Sequence, residues 1–231
     1  MIALPSPPVV RAFAVALLLG GCQLTPQESV PDTTEDGLER IGLKGIDLAY
    51  MRPGASLAQY RRVLLDPVQV AFSKDWNPER TGSRMKLSSE EREKIRTDLA
   101  AVFMQTFKEE IEKGGYTVVD AAAHDVLRVT PELADVYIND PDVMTPGRDR
   151  TYVMSSGRMT LRADLRDSET GAILARVTDE TKDRDDLYFE VSSNVANTAA
   201  ARRAVQDWAR TLRARLDAVR MQSEAIKPAS Q

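Results

Sequence analysis

The stretch "GRMTLRADLRDSETGAILARVTDE", residues 157–180, decides the fold. Met159, Leu161, Ala163 and Leu165 alternate strictly with Thr160, Arg162, Asp164 and Arg166. Successive side chains of an extended chain point to opposite faces, so this alternation sets one face on a core and the other in water. "DSETG", ending at Gly171, supplies a turn, after which Ile173, Ala175 and Val177 resume the pattern. The reading is an antiparallel hairpin over residues 158–178.

Working outward, "LSSEEREKIRTDLAAVFMQTFKEEIEKGGY" reads as a helix. Ser88 and Glu91 have capping-box spacing, and Ile95, Leu99, Val102, Phe103, Phe107 and Ile111 recur at helical intervals before Lys113 and Gly114-Gly115 close it. Upstream, "YRRVLLDPVQVAF" has strand character, with Val68, Val70 and Phe72 on one side and Gln69 on the other. Asp66-Pro67 within it argues for an edge or a bulge. "YTVVD" and "DVLRVTPELADVYI" read as further strands, the second broken or bulged at Pro131. From about Thr198, Val205, Trp208, Leu212, Leu216 and Val219 mark a second amphipathic helix whose exposed side is expected to carry Arg202, Arg203, Arg210, Arg213 and Arg215. The expected fold is α+β, a mainly antiparallel sheet with two helices packed on it.

This order, with "RRVLLDPVQV", "GGYTVVD", "DVLRV", "MTLRADLRDSETGAILARV" and the Ala- and Arg-rich last helix, resembles the bacterial lipoproteins of domain-of-unknown-function family 3313. The resemblance covers nearly all of the chain after its leading segments. It implies an envelope location and carries no assigned reaction.

The amino-terminal segment has its own order: Arg11, an apolar run from Ala12 to Leu19, then Gly20 and Gly21 before Cys22, the only cysteine of the chain. That is the layout of a secretory signal, and its apolar run is far short of the ~20 residues that span a bilayer. Leu19-Gly20-Gly21-Cys22 resembles the bacterial lipobox, which implies cleavage before Cys22 and acylation of its thiol and new amino group. Gln23, in place of the Asp that favours inner-membrane retention in enterobacterial sorting, leans towards the outer membrane, with the domain facing the periplasm. Expected boundaries are a signal peptide over 1–21, a lipidated Cys22 and flexible tether over 22–49, one domain over 50–220 and a disordered tail over 221–231.

Composition narrows the function. The 231 residues hold 31 basic and 35 acidic side chains, a mildly acidic balance without the basic excess a nucleic-acid binder shows. His124 is the sole imidazole, and no phosphate-cradling loop or nucleophile motif is present, so no catalytic, metal or small-molecule cofactor site is expected. Two carboxylate groups, Asp140, Asp142 and Asp149, and Asp179, Glu180, Asp183, Asp185 and Asp186, leave a cell-wall-directed hydrolase as the alternative. The favoured expectation is a non-enzymatic binding or assembly module, with membrane lipid as one partner through acylated Cys22 and an envelope protein as another. The candidate partner loop is "NDPDVMTPGRDRTY", residues 139–152. Pro141, Pro146 and Gly147 break regular structure there, and Met144, Arg148, Arg150 and Tyr152 supply an adaptable apolar contact, two cations and an amphipathic ring.

Overall fold

The structure, a computed structural model, describes residues 30–76, 88–138, 157–182 and 194–226. Its sheet holds β1 (Glu39–Ile41), β2 (Leu48–Met51), β3 (Arg62–Leu65), β4 (Gln69–Phe72), β5 (Thr117–Val118), β6 (Val126–Ile138), β7 (Gly157–Asp167) and β8 (Ile173–Lys182), with α1 (Ser89–Lys113) and α2 (Asn194–Ile226) as the helices. The order across the sheet is β1-β2-β8-β7-β6-β3-β5, and β4 lies beside β6 in line with β3. Pairing is antiparallel from β1 to β6 and parallel for β3 and β4 on β6 and for β5 on β3. The fold is therefore α+β with a mostly antiparallel sheet.

β7 and β8 form the expected hairpin. Met159, Leu161, Ala163 and Leu165 are buried in the main core, and Arg162 stands on the other face with its side chain 51% exposed. Asp167 organises the turn: its Oδ1 accepts from the N–H and the hydroxyl of Thr170, each at 2.8 Å, and its carbonyl accepts from Gly171 N–H at 2.9 Å. Gly171 has φ 72°, a conformation that strains any residue with a Cβ.

The centre of the sheet is β6, and its core face changes parity along the strand. Leu127, Val129, Pro131 and Leu133 are buried on the helix side, after which Val136 and Ile138 take that role. The switch is a bulge at Asp135, whose φ of 52° lets both neighbours slip by one residue: β7 shifts register between Ala134 and Tyr137, and β4 between Val70 and Phe72. The bulge thus sits four residues beyond Pro131, where the sequence led us to expect it. Pro131 itself is paired with Ala163 of β7. The Val129 carbonyl accepts from Asp66 N–H, so odd-numbered residues of β6 turn their backbone towards β3 and β4, and the donor that Pro131 lacks would point into the gap between those strands.

That gap is a second bulge. Three residues lie between Leu65 and Gln69, while two lie between their partners Val129 and Glu132, so the Asp66-Pro67 segment holds one extra residue. Core-facing residues change parity here too, from Val63 and Leu65 to Val68, Val70 and Phe72.

Both helices cover one face. Ser88 caps α1 with the reciprocal capping box, Ser88 Oγ accepting from Glu91 N–H at 3.1 Å and Glu91 accepting from Ser88 N–H at 2.7 Å. Phe103, Phe107 and Ile111 of α1 and Val205, Trp208 and Leu216 of α2 meet the sheet. Contacts advance together along the helices, Glu110 with Arg210 and Arg213, then Tyr116 with Asp217, so α1 and α2 run parallel.

Two boundaries differ from expectation. The segment read as tether up to residue 49 belongs to the folded unit from Pro31 onwards: β1 and β2 extend the sheet beyond β8, Leu38 is fully buried, and Tyr50 Oη donates to Pro31 O at 2.9 Å. Asp32 O accepts from Arg40 N–H at 2.8 Å and Thr33 bridges Glu39, which covers the outer edge of β1. The elements there are three and four residues long, too short to set up a readable apolar period. At the other terminus α2 continues to Ile226, beyond the start of the expected tail at 221.

Candidate functional site: the strand-end cluster and the open sheet face

Cys22 and the partner-loop residues Met144, Arg148, Arg150 and Tyr152 lie outside the described residues, as do Asp140, Asp142, Asp149, Asp183, Asp185 and Asp186. The structure does describe the frame from which the loop springs. Ile138 pairs with Gly157 and Tyr137 with Arg158, so both strands it joins end side by side. Around them is a layer of arginines on aromatic rings. Phe72 stacks on Trp76 with centroids 4.4 Å apart, Arg96 lies 5.5 Å over Phe72, Arg92 lies 5.9 Å over Trp76, and Arg158 lies 4.6 Å over Tyr137. Trp76 Nε1 donates to Ile138 O at 2.9 Å, and Arg158 pairs with Asp75 at 2.8 Å. Contacts of this kind contribute ~0.5–2 kcal/mol each and fix ring orientation. The sequence reading missed this layer, although "FSKDWNPER" already places two aromatics and their polar neighbours together.

The face without helices is a lattice of ion pairs running across the sheet. Arg176 joins Asp36 at 3.2 Å and Asp164 at 2.7 Å, and Arg166 joins Asp164 at 2.7 Å. Further over, Arg128 donates to both oxygens of Asp66, at 2.8 and 3.0 Å, and Thr130 Oγ1 donates to the same carboxylate at 2.7 Å. Burial pushes the Asp66 carboxyl up, but Arg128 and Thr130 outweigh it and hold it below the usual carboxylate range. Asp125, the residue beside His124, is held low chiefly by its hydrogen bonds from Arg62, with the charge of His124 a lesser contribution. Asp179 faces the helices and accepts from Trp208 Nε1 at 2.7 Å, which ties α2 to β8. Among the described residues no group of three or more His, Cys, Asp or Glu side chains is placed to hold a metal ion.

The arginines of α2 divide in two. Arg202 and Arg215 are exposed as expected, whereas Arg213 crosses to α1. It donates from Nη1 to Glu110 Oε1 at 2.9 Å and to the Glu110 carbonyl at 3.2 Å, while Arg210 pairs with the same carboxylate at 3.4 Å. Glu110, 3% exposed, also meets Lys113 at 3.3 Å. Burial raises its carboxyl, yet the Lys113 hydrogen bond and the charges of Lys113, Arg210 and Arg213 bring it below the ordinary glutamate value. Gly114 allows the crossing, since a Cβ there would stand 2.7 Å from Arg213 Cγ. Glu110 was readable as an acid between Phe107 and Ile111 on an apolar stripe.

Residues 36–212 match the model of the family described as Protein of unknown function (DUF3313). The chain belongs to the DUF3313 family. The match opens before Leu38 and takes in β1 and β2, in agreement with their place in the sheet. No curated protein matches the DUF3313 chain. Among solved structures it is similar to a DUF4136 family protein from Bacteroides thetaiotaomicron (14% identity, TM-score 0.35, 73% of this chain and 95% of that one). It is also similar to a protein assigned as a lipoprotein from Caulobacter crescentus (11%, 0.34, 75% and 96%) and to the PelC dodecamer from Paraburkholderia phytofirmans (13%, 0.32, 69% and 94%). No helix among the described residues is long and apolar enough to cross a membrane.

Proposed function

We propose that this DUF3313 protein is a lipid-anchored envelope lipoprotein, held at the periplasmic side of the outer membrane through acylated Cys22, whose task is to bind another envelope protein. The observation that carries the anchor is the order Arg11, apolar run, Leu19-Gly20-Gly21-Cys22, followed within nine residues by the first strand-edge contact of the domain at Pro31. Several acyl chains at ~0.8 kcal/mol per buried CH₂ make release from the bilayer negligible.

Among the described residues, the carboxylates that depart from their ordinary value are all held low, which supports struts of a binding module rather than acid catalysis. A general acid needs a carboxyl raised towards neutrality. Asp36, Asp66, Asp75, Glu110, Asp125 and Asp167 are all held below the ordinary value by arginine, lysine, hydroxyl or backbone donors. Such groups stay ionised and serve as struts.

The binding element is the segment around Met144, Arg148, Arg150 and Tyr152, which leaves and re-enters the sheet beside the arginine–aromatic layer at Tyr137 and Arg158. Replacing residues 141–149 with a short Gly-Ser linker is expected to leave thermal unfolding almost unchanged and to weaken capture of the partner in pull-downs from crosslinked envelopes. Unaltered capture, or loss of the fold, would count against the loop.

A further inference from the structure

Charges of opposite sign gather at two places on the domain. Residues 31–51 hold five acids and two bases, whereas α2 holds six arginines and three acids. Asp32, Glu39 and Asp47 line a recess of about 720 Å³ at the β1–β2 edge, beside Ile41 and Ile46 and with Arg40 as the cation among them. Among the described residues none of these three carboxylates is in an ion pair; Asp47 spends one oxygen on Glu180 N–H at 2.9 Å. On α2, Arg210, Ala214 and Met221 fall on one face at helical spacing, with Arg202 and Arg215 at its margins. Arg202 and Arg215 are exposed and form no ion pair among the described residues. The open sheet face differs, since its arginines and carboxylates satisfy one another.

Exposed apolar groups mark the same two places. From Pro31 onwards two large apolar side chains are exposed among the described residues, Ile41 at 38% in the recess and Met221 at 62% on α2. One copy cannot bring them together. Asp179 ties both elements at one level of the sheet, its oxygens accepting from Asp47 N–H at 3.0 Å and from Trp208 Nε1 at 2.7 Å. The recess is therefore level with Trp208, whereas Met221 lies thirteen residues, about 20 Å, further along α2. A contact of like with like would oppose acid to acid at one place and arginine to arginine at the other. The complementary contact is between the two unlike surfaces of different copies, a helix face laid in a recess.

We propose that the occupant of the recess is a second copy of this chain: the stretch of α2 from Arg210 to Met221 of one copy seats in the β1–β2 recess of the next, with Met221 against Ile41 and Arg215 among the carboxylates. Unlike surfaces make the contact head-to-tail, so copies add into a ring or a row. The apolar contact supplies affinity, and the charges set register and exclude an acid-on-acid pairing. This goes beyond the anchor and partner-loop reading and uses neither Cys22 nor residues 139–152. The test uses the full chain produced in bacterial membranes, with a photoreactive benzophenone side chain in place of Ile41. Irradiation is expected to give adducts at dimer and trimer mass, the crosslinked peptide of the second copy coming from residues 210–222. Glu39→Arg and Arg215→Glu are each expected to lower the adduct several-fold, and the two changes together to restore most of it, in protein that unfolds thermally as the wild type does. Should Glu39→Arg fail to fold, Arg215→Glu on the exposed side of α2 decides alone. Absence of any adduct between copies, adducts that map to residues 39–47 of the second copy, or an undiminished yield in Arg215→Glu overturns the head-to-tail contact. Adducts formed solely with another protein also overturn it and give the recess a different occupant.

Discussion

Leu161→Asp is expected to abolish the cooperative unfolding transition, while Arg162→Ala, one residue along the same strand, shifts it little. Leu161 is 4% exposed and faces Leu133 of β6 on one side and Asp179 of β8 on the other. Asp179 already spends one oxygen on Trp208 Nε1 and the other on Asp47 N–H. A second carboxylate directly opposite would be buried without a donor and would repel the first across the ladder. The cost is several kcal/mol, on the order of the whole stability of a domain this size. Arg162 loses only exposed pairs, with Glu132 at 4.0 Å and Asp135 at 3.3 Å, which contribute ~0–1 kcal/mol. Circular dichroism during denaturant titration separates the two outcomes, and equal effects would show the register of β7 to be wrong.

Glu110→Ala is expected to lower stability by about 2 kcal/mol, less than the ~3–5 of a fully buried pair because Arg210 and Lys113 are half exposed. The carboxylate joins α1 to α2, and its removal strips Arg213 of its closest acceptor and leaves only the Glu110 carbonyl. Because the folded-state carboxyl is lowered, its contribution is present above the ordinary glutamate value of 4.5 and is lost as pH falls below it. Glu110→Gln should therefore flatten the acid limb of the stability curve, and an acid limb as steep as the wild type's would argue against the clamp. Gly114→Ala, by displacing Arg213, is expected to weaken the same contact. In a double-mutant cycle its effect should be smaller when Glu110 is already alanine, whereas simple additivity would mean the two act separately.

The hairpin, both helices and the capping box were legible because long elements repeat their period often enough to outweigh single exceptions. The bulge at Asp66-Pro67 was legible from its proline, whereas the one on β6, a parity shift from 131 and 133 to 136 and 138, was expected at Pro131 and lies at Asp135. β1 and β2 escaped notice because they are three and four residues long, and Leu38 is an isolated apolar residue among polar neighbours, buried where residues 31–38 fold back beside β1. Arg213 looked like a solvated cation since nothing within α2 reveals Glu110, which is 103 residues away. Long-range pairs of this sort leave no periodic trace.

The lipid anchor is the claim on which the proposed location depends, and it has a direct measurement: the intact mass and amino-terminal peptide of the protein purified from bacterial membranes. The account predicts a chain that begins at Cys22 and carries the added mass of a diacylglyceryl group and an amide-linked acyl chain, with Cys22→Ser left unprocessed or released from the membrane. A wild-type chain intact from Met1 and free of lipid would contradict it.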